Sequence, residues 1–177
     1  MREILYRGKA INRINVFRRS RYKDGDWVYG LVTRLYDERF ENLPAEMTDI
    51  NGISGIEIDY RTIGQFTGLT DKNGTKIFVG DIVKYLNSCD FECLAIVKFG
   101  KYTQDGSDGE YSGPDCIGFY VEVDNFNCPD WSGWDDDEDL SWHFNDYLRQ
   151  QNILEVAKEC EVVGNIFDDS ELLEVPE

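Results

Sequence analysis

The stretch Thr62 to Val83 reads T-I-G-Q-F-T-G-L-T-D-K-N-G-T-K-I-F-V-G-D-I-V, and it leaves the chain few ways to fold there. Ile63 and Phe66 lie among small and polar neighbours on a first arm, while Ile77, Phe78, Val79, Ile82 and Val83 form a β-branched and aromatic second arm. Between the arms stands Asp71-Lys72-Asn73-Gly74. Asn-Gly accepts the positive φ angles of a type I′ turn with little strain, so the segment Ile56 to Tyr85 is expected to hold an antiparallel hairpin turning on Asn73-Gly74. Gly80-Asp81 then interrupts the second arm, where a bulge or tight bend would let a small barrel close. The pattern encodes architecture and carries no chemistry.

Charge is the next constraint. The formal net charge is −17, but residues 1–40 hold ten Lys/Arg against five Asp/Glu, and the remainder holds eight against thirty. Phosphate neutralisation by Lys and Arg supplies most non-specific nucleic-acid affinity, so a chain with this field is disfavoured as a general DNA binder. The bland reading of the acid excess is solubility. With 41% hydrophobic and 14% aromatic residues the chain is too apolar for a disordered protein. No apolar run approaches the roughly 20 residues of a membrane span, and charges interrupt Met1 to Ala10, so a cytoplasmic protein with no membrane association is expected. The five cysteines, at 89, 93, 116, 128 and 160, contain no Cys-x-x-Cys pair, and His143 is alone of its kind. Reduced thiols without metal are expected, and a four-ligand zinc site lacks supporting spacing.

Along the chain, Arg2 to Lys9 and Trp27 to Val32 read as strands. The basic run between them includes Arg18, Arg19 and Arg21 interleaved with Val16, Phe17 and Tyr22. Such a run stacks on bases or docks on the chain's own acidic half, and the second reading is preferred in a chain this acidic. Arg34 to Ser54 is polar and irregular, with a short helix expected around Leu43 to Met47. Leu94 to Phe99 is a strand with both faces partly covered, and Gly100 to Pro114 a loop. Ile117, Phe119, Val121 and Val123 alternate as one face of a half-buried strand. Trp131 and Trp134 form either an exposed recognition patch or a lid on the core, the lid being commoner. Asp135, Asp136 and Asp137 precede a helical stripe of Leu140, Phe144, Tyr147 and Leu148, where carboxylates suit a helix N-terminus. A calcium loop begun at Asp135 would put Leu140 where the loop needs Gly, so metal binding is not favoured. Glu161 to Ile166 is a last strand in which Gly164 marks a bulge or a close backbone approach, and Phe167 to Leu173 a capped turn whose two leucines pin that end.

Signatures of catalysis fail in turn: no phosphate-binding loop, no Gly-x-Ser-x-Gly and no His-Glu-x-x-His is present. No enzyme and no cofactor is expected.

Four motifs in order, Arg2-Glu3-Ile4-Leu5-Tyr6-Arg7-Gly8-Lys9, Trp27-Val28-Tyr29-Gly30, the Thr62 to Val83 run and Val162-Val163-Gly164-Asn165-Ile166-Phe167, resemble the YopX family of phage and prophage proteins. The resemblance implies a mainly-β fold with minor α content, built on an SH3-like small barrel, and implies no activity. It divides the chain into an N-terminal basic segment and β region, 1–55, packing on a barrel, 56–177, that carries an acidic loop and helix insertion at 100–160. The function expected is that of an accessory, non-enzymatic protein-interaction module with a protein partner, capable of forming a homo-oligomer. The alternatives are an acidic mimic of DNA that inhibits a host DNA-binding protein, and nucleic-acid binding through the basic segment. Candidate interaction residues are Arg18, Arg19, Arg21, Trp131, Trp134, Asp135, Asp136 and Asp137.

Overall fold

The computed structural model describes residues 3–11, 21–35, 45–86, 92–103, 115–123 and 150–173. These residues are mainly β, in two antiparallel sheets with no closed barrel among them, and the chain divides into two compact units, Met1–Gly68 and Leu69–Glu177.

The first unit is built from β1 (Tyr6–Lys9), β2 (Trp27–Arg34), β3 (Ala45–Asp49) and β4 (Ile56–Ile58), with the start of β5 (Gly64–Thr70). Together with β6 (Lys76–Phe78) they make a sheet of order β4-β3-β2-β1-β5-β6. Alternation selects the faces: Val28, Met47, Ile56 and Ile58 turn inward with Ala10 and Ala45, and Tyr6, Tyr22, Val32 and Ile63 pack around them. Ala45 to Asp49 is a strand, where a short helix was expected around Leu43 to Met47. Its buried Ala45, Met47 and Asp49 alternate with half-buried Glu46 and Thr48, and pairing on both sides, with β2 and β4, outweighs local helix preference. Beyond β1, Ala10 bridges to Ile58 of β4, while the Ile11 amide donates to Glu57 and the Asp59 amide to Lys9, each at 2.9 Å.

Gly30 is the tightest point of this unit. A Cβ added there would lie 1.9 Å from the backbone oxygen of Thr48, so only glycine lets β2 and β3 approach as they do.

In the second unit a sheet runs β10 (Gln150–Asn152), β9 (Asp115–Val123), β8 (Glu92–Thr103), β7 (Asp81–Leu86), β11 (Glu161–Asn165). One helical turn, α1 (Ile153–Val156), covers it. Ile77, Val83, Ala95, Val97, Val121, Val123, Ile153, Val156 and Cys160 form the core. Gly100 to Thr103, expected in a loop, belong to β8, because β8 and β9 stay paired from Ala95↔Val123 out to Thr103↔Asp115; the rest of that expected loop, 104–114, lies outside the described residues. The segment 100–160 thus contributes strands to the sheet itself. The bulge at Gly164 is present as a register shift between Val162 and Gly164. The final turn, Ser170–Leu173, is present, with Leu172 exposed and Leu173 half-buried.

The hairpin expected between the two arms is present as β5 and β6, but its loop has three residues instead of two. The Asp71 amide donates to Thr75 O at 2.9 Å, the Gly74 amide donates to Asp71 O at 3.0 Å, and Gly74 takes φ 83°. This is a turn followed by a glycine bulge. The longer loop wraps the Asp71 carboxylate, whose Oδ1 accepts from the amides of Asn73 at 2.9 Å and Thr75 at 2.8 Å.

Candidate interaction surfaces

The carboxylates of the motif-rich stretches organise backbone. Asp71 is 5% exposed, and its second oxygen accepts from the amide of Val162 at 2.9 Å, which ties the hairpin loop to β11. Burial pushes the Asp71 carboxyl up, but the amides of Val162, Thr75 and Asn73 outweigh it and hold the group below the usual carboxylate value. Asp81, fully buried, accepts from the Phe78 amide at 2.7 Å across the Gly80 bend. Asp169 accepts from the Asn165 amide at 3.0 Å and sits where a Cβ on Gly164 would fall, 2.7 Å from its Oδ2. In the first unit Asp49 receives the Tyr22 hydroxyl at 2.7 Å and the amides of Asn51 and Ile53. Burial raises its carboxyl, and these donors together bring it below the usual value. Acids held ionised by amides in this way are poor proton donors near neutrality.

Two surfaces leave apolar side chains in solvent. On the outer face of the first unit, Tyr29, Leu31 and Ile50 are 38%, 51% and 71% exposed. They are neighbours, because Leu31 pairs with Thr48, Gly30 with Asp49, and the Ile50 amide donates to Tyr29 O at 2.9 Å. The same face carries Trp27, with the Arg7 guanidinium carbon 4.6 Å and the Lys9 ammonium 5.4 Å from its ring centroid. Arg7 pairs with Tyr29 and Lys9 with Trp27, so cation and ring meet across adjacent strands.

On the second unit the outer half of the β8–β9 ribbon exposes Phe99 by 56% and Ile117 by 81%. Ile117 departs from the half-buried face expected of its strand: Val121 and Val123 on that face are in the core, but Ile117 lies beyond it, opposite Lys101. Phe119 pairs with Phe99, their centroids 4.9 Å apart.

Residues 17–174 match the family described as YopX protein. The chain belongs to the YopX family. Across 97% of this YopX protein and 99% of the other chain, a crystal structure of protein EF1440 from Enterococcus faecalis is similar at 23% identity and a TM-score of 0.41. No curated protein matches.

Of the candidate residues read from the sequence of this YopX member, Arg21 is exposed beside Tyr22. Arg18, Arg19, Trp131, Trp134, Asp135, Asp136 and Asp137 lie outside the described residues, as does the helix expected after them. Among the described residues no group of three or more His, Cys, Asp or Glu is placed to hold a metal ion, Cys160 is a free, buried thiol, and no helix is long and apolar enough to cross a membrane. The Tyr29–Leu31–Ile50 face was missed in the sequence. Its signal was a strand apolar on both phases, with Trp27, Tyr29 and Leu31 on one and Val28 and Val32 on the other, and Ile50 just past Asp49.

Proposed function

We propose that this YopX protein is an accessory, non-enzymatic interaction module of phage or prophage origin that works in the bacterial cytoplasm by docking a protein partner. The observation that carries this reading is the contiguous Tyr29, Leu31 and Ile50 face, apolar at its centre and bordered by the Trp27 ring with its two cations. Tyr and Trp side chains beside an apolar centre are the composition of interface hot spots, and the buried Arg7 guanidinium holds the Trp27 ring in place. The amide-bound carboxylates of Asp49 and Asp71 further support a role without catalysis. An SH3-like barrel over residues 56–177 belongs to the same reading.

A second reading, mimicry of the DNA phosphate ladder, is favoured by the partition of charge. Residues 1–68 hold eleven Lys/Arg against ten Asp/Glu, a net of +1, and residues 69–177 hold seven against twenty-five, a net of −18. Nucleic-acid binding through Arg18, Arg19 and Arg21 would require this acidic unit to lie away from the ligand.

The test is affinity capture from bacterial lysate with the full chain and with a Leu31→Ser/Ile50→Ser variant whose circular dichroism is unchanged. A protein held by the parent and lost from the variant is expected. Equal capture by both would remove the Tyr29–Leu31–Ile50 face from the reading. A captured DNA-binding protein that duplex DNA competes away would replace the first reading with mimicry. Direct duplex binding at about 50 mM salt, lost at about 200 mM and abolished in an Arg18→Glu/Arg19→Glu/Arg21→Glu variant, would replace both.

A further inference from the structure

We propose that two copies of this chain pair face to face through the outer half of the β8–β9 ribbon, with Phe99, Ile117 and Phe119 of each copy meeting those of the other and Lys101 of each facing Asp115 of its mate. The strands divide their side chains between two faces. One face continues outward from the core through Val97↔Val121 to Phe99↔Phe119, Lys101↔Ile117 and Thr103↔Asp115. On the other, Tyr102 and Tyr120 stack with centroids 5.3 Å apart and an interplanar angle of 20°. They lie over the opposed pair Gly100↔Gly118, where a Cβ would find Tyr120 at 4.0 Å and Tyr102 at 3.8 Å, and Lys98 pairs with Glu122 beside them. That second face is already covered. The first loses its cover at Phe99, so that Phe99 and Ile117 stand in solvent beside Phe119, which is half-buried against the core.

Charge selects a second copy as the occupant. The Lys101 ammonium lies 2.6 Å from the Asp115 carboxylate, on the same face as Ile117, so the patch carries one charge of each sign within a unit whose net is −18. A strongly basic or acidic partner gains nothing specific from a neutral patch. Under a two-fold axis, a patch with one cation and one anion beside an apolar centre is its own complement. Face pairing also suits this sheet better than edge pairing. At the β11 edge the amide of Val162 already donates to Asp71 and that of Asn165 to Asp169, and the opposite edge strand β10 is only three residues long.

Area fixes the strength. With Phe99 56% and Ile117 81% exposed and Phe119 half-buried, these three residues offer roughly 300 Å², well under half of the about 800 Å² per partner that a stable interface uses. The pairing is therefore concentration-dependent, and two copies bearing −17 each repel at long range. Added salt screens that repulsion while leaving the apolar contact intact, so association strengthens with salt.

Sedimentation equilibrium of the full chain from about 5 to about 500 µM, at about 50 and about 500 mM NaCl, tests this. Dimer that grows with concentration and with salt is expected. Monomer throughout, or association weakened by salt, overturns the proposal. Location is read from three variants: Phe99→Ser and Lys101→Asp each raise the dissociation constant about tenfold or more, and the swap Lys101→Asp/Asp115→Lys restores it. Dimerisation indifferent to Phe99→Ser and Lys101→Asp overturns the site. Should Phe99→Ser lose its circular dichroism, Lys101→Asp and the swap, at exposed positions, carry the test. The surface is separate from Tyr29, Leu31 and Ile50, so loss of partner capture and loss of pairing are told apart by their variants.

Discussion

Gly30 and Gly74 show how differently two glycines constrain one chain. Replacing Gly74 by Ala meets no atom within 4 Å and leaves only a residue at φ 83°, a cost of about 1–2 kcal/mol. Replacing Gly30 by Ala sets a methyl 1.9 Å from the Thr48 oxygen and requires β3 to shift, a cost of about 3 kcal/mol or more. Urea unfolding should therefore rank Gly30→Ala well below Gly74→Ala, though Asn73-Gly74 is the plainer signal in the sequence. A turn announces itself through local residue chemistry, whereas the closeness of β2 to β3 depends on residues 18 positions apart and has no local mark. Asp71 is the other decisive residue. Asp71→Ala leaves the amides of Asn73, Thr75 and Val162 without their carboxylate, for about 2–4 kcal/mol. Its carboxyl, and those of Asp49 and Asp59, are held below the unfolded value of 3.8, so the unfolded chain takes up protons first as pH falls. The stability they confer is complete above about pH 5 and is lost as pH drops below 3.8 through the folded values. Melting temperatures between about pH 2 and pH 6 should show that fall, with a shallower one in Asp71→Asn.

Among the elements, β2, β8 and the hairpin arms were legible because their apolar residues are β-branched or alternate. The error at Leu43 to Met47 is of the opposite kind: Ala45, Glu46 and Met47 favour helix, and only β2 and β4 on either side make them a strand. Ile117 was misassigned because alternation tells which face a residue takes and not whether anything covers that face. Thus mainly-β character was readable while the exposed half of the ribbon was not. The junction of α1 with β11 yields a test of its own. The Cys160 carbonyl accepts from the Lys72 amide at 3.1 Å, its thiol lies 3.6 Å from Ala157 O, and burial pushes that thiol from 9.0 up to about 11. A folded value above the unfolded one means stability that is full below pH 9 and falls as pH rises from 9 through about 11. Cys160→Ala should flatten that alkaline loss, measured as denaturation midpoint against pH, at the cost of a lower midpoint at neutrality from the small cavity. Tyr85, whose buried hydroxyl has no hydrogen-bond partner among the described residues and is likewise pushed up by burial, should retain part of the loss in that variant.

For the molecule as a whole, charge and topology act together. The second unit carries ion pairs at Lys72–Glu161, Lys84–Glu92 and Lys101–Asp115, all largely exposed and each contributing about 0–1 kcal/mol. Against them stands a net of −18, so repulsion wins, and raising NaCl from about 20 to about 300 mM should lift the melting temperature by about 3–6 °C. A lower melting temperature at high salt would show instead that local pairs dominate. The bond from Val162 to Asp71 spans 91 positions, and β7 finds its outer neighbour only in β11, the last strand in chain order. At about 5–20 residues per second, a ribosome needs roughly 5–20 s to make the span from Asp71 to Val162. During that interval β7 has an open margin and the hairpin loop lacks the strand that its carboxylate holds. The first unit faces no such wait, since every pairing among β1 to β4 lies within its own residues. Synthesis therefore imposes an order that equilibrium does not: the near-neutral unit matures early, and the acidic one stays vulnerable to chaperones and proteases until its final strand is made.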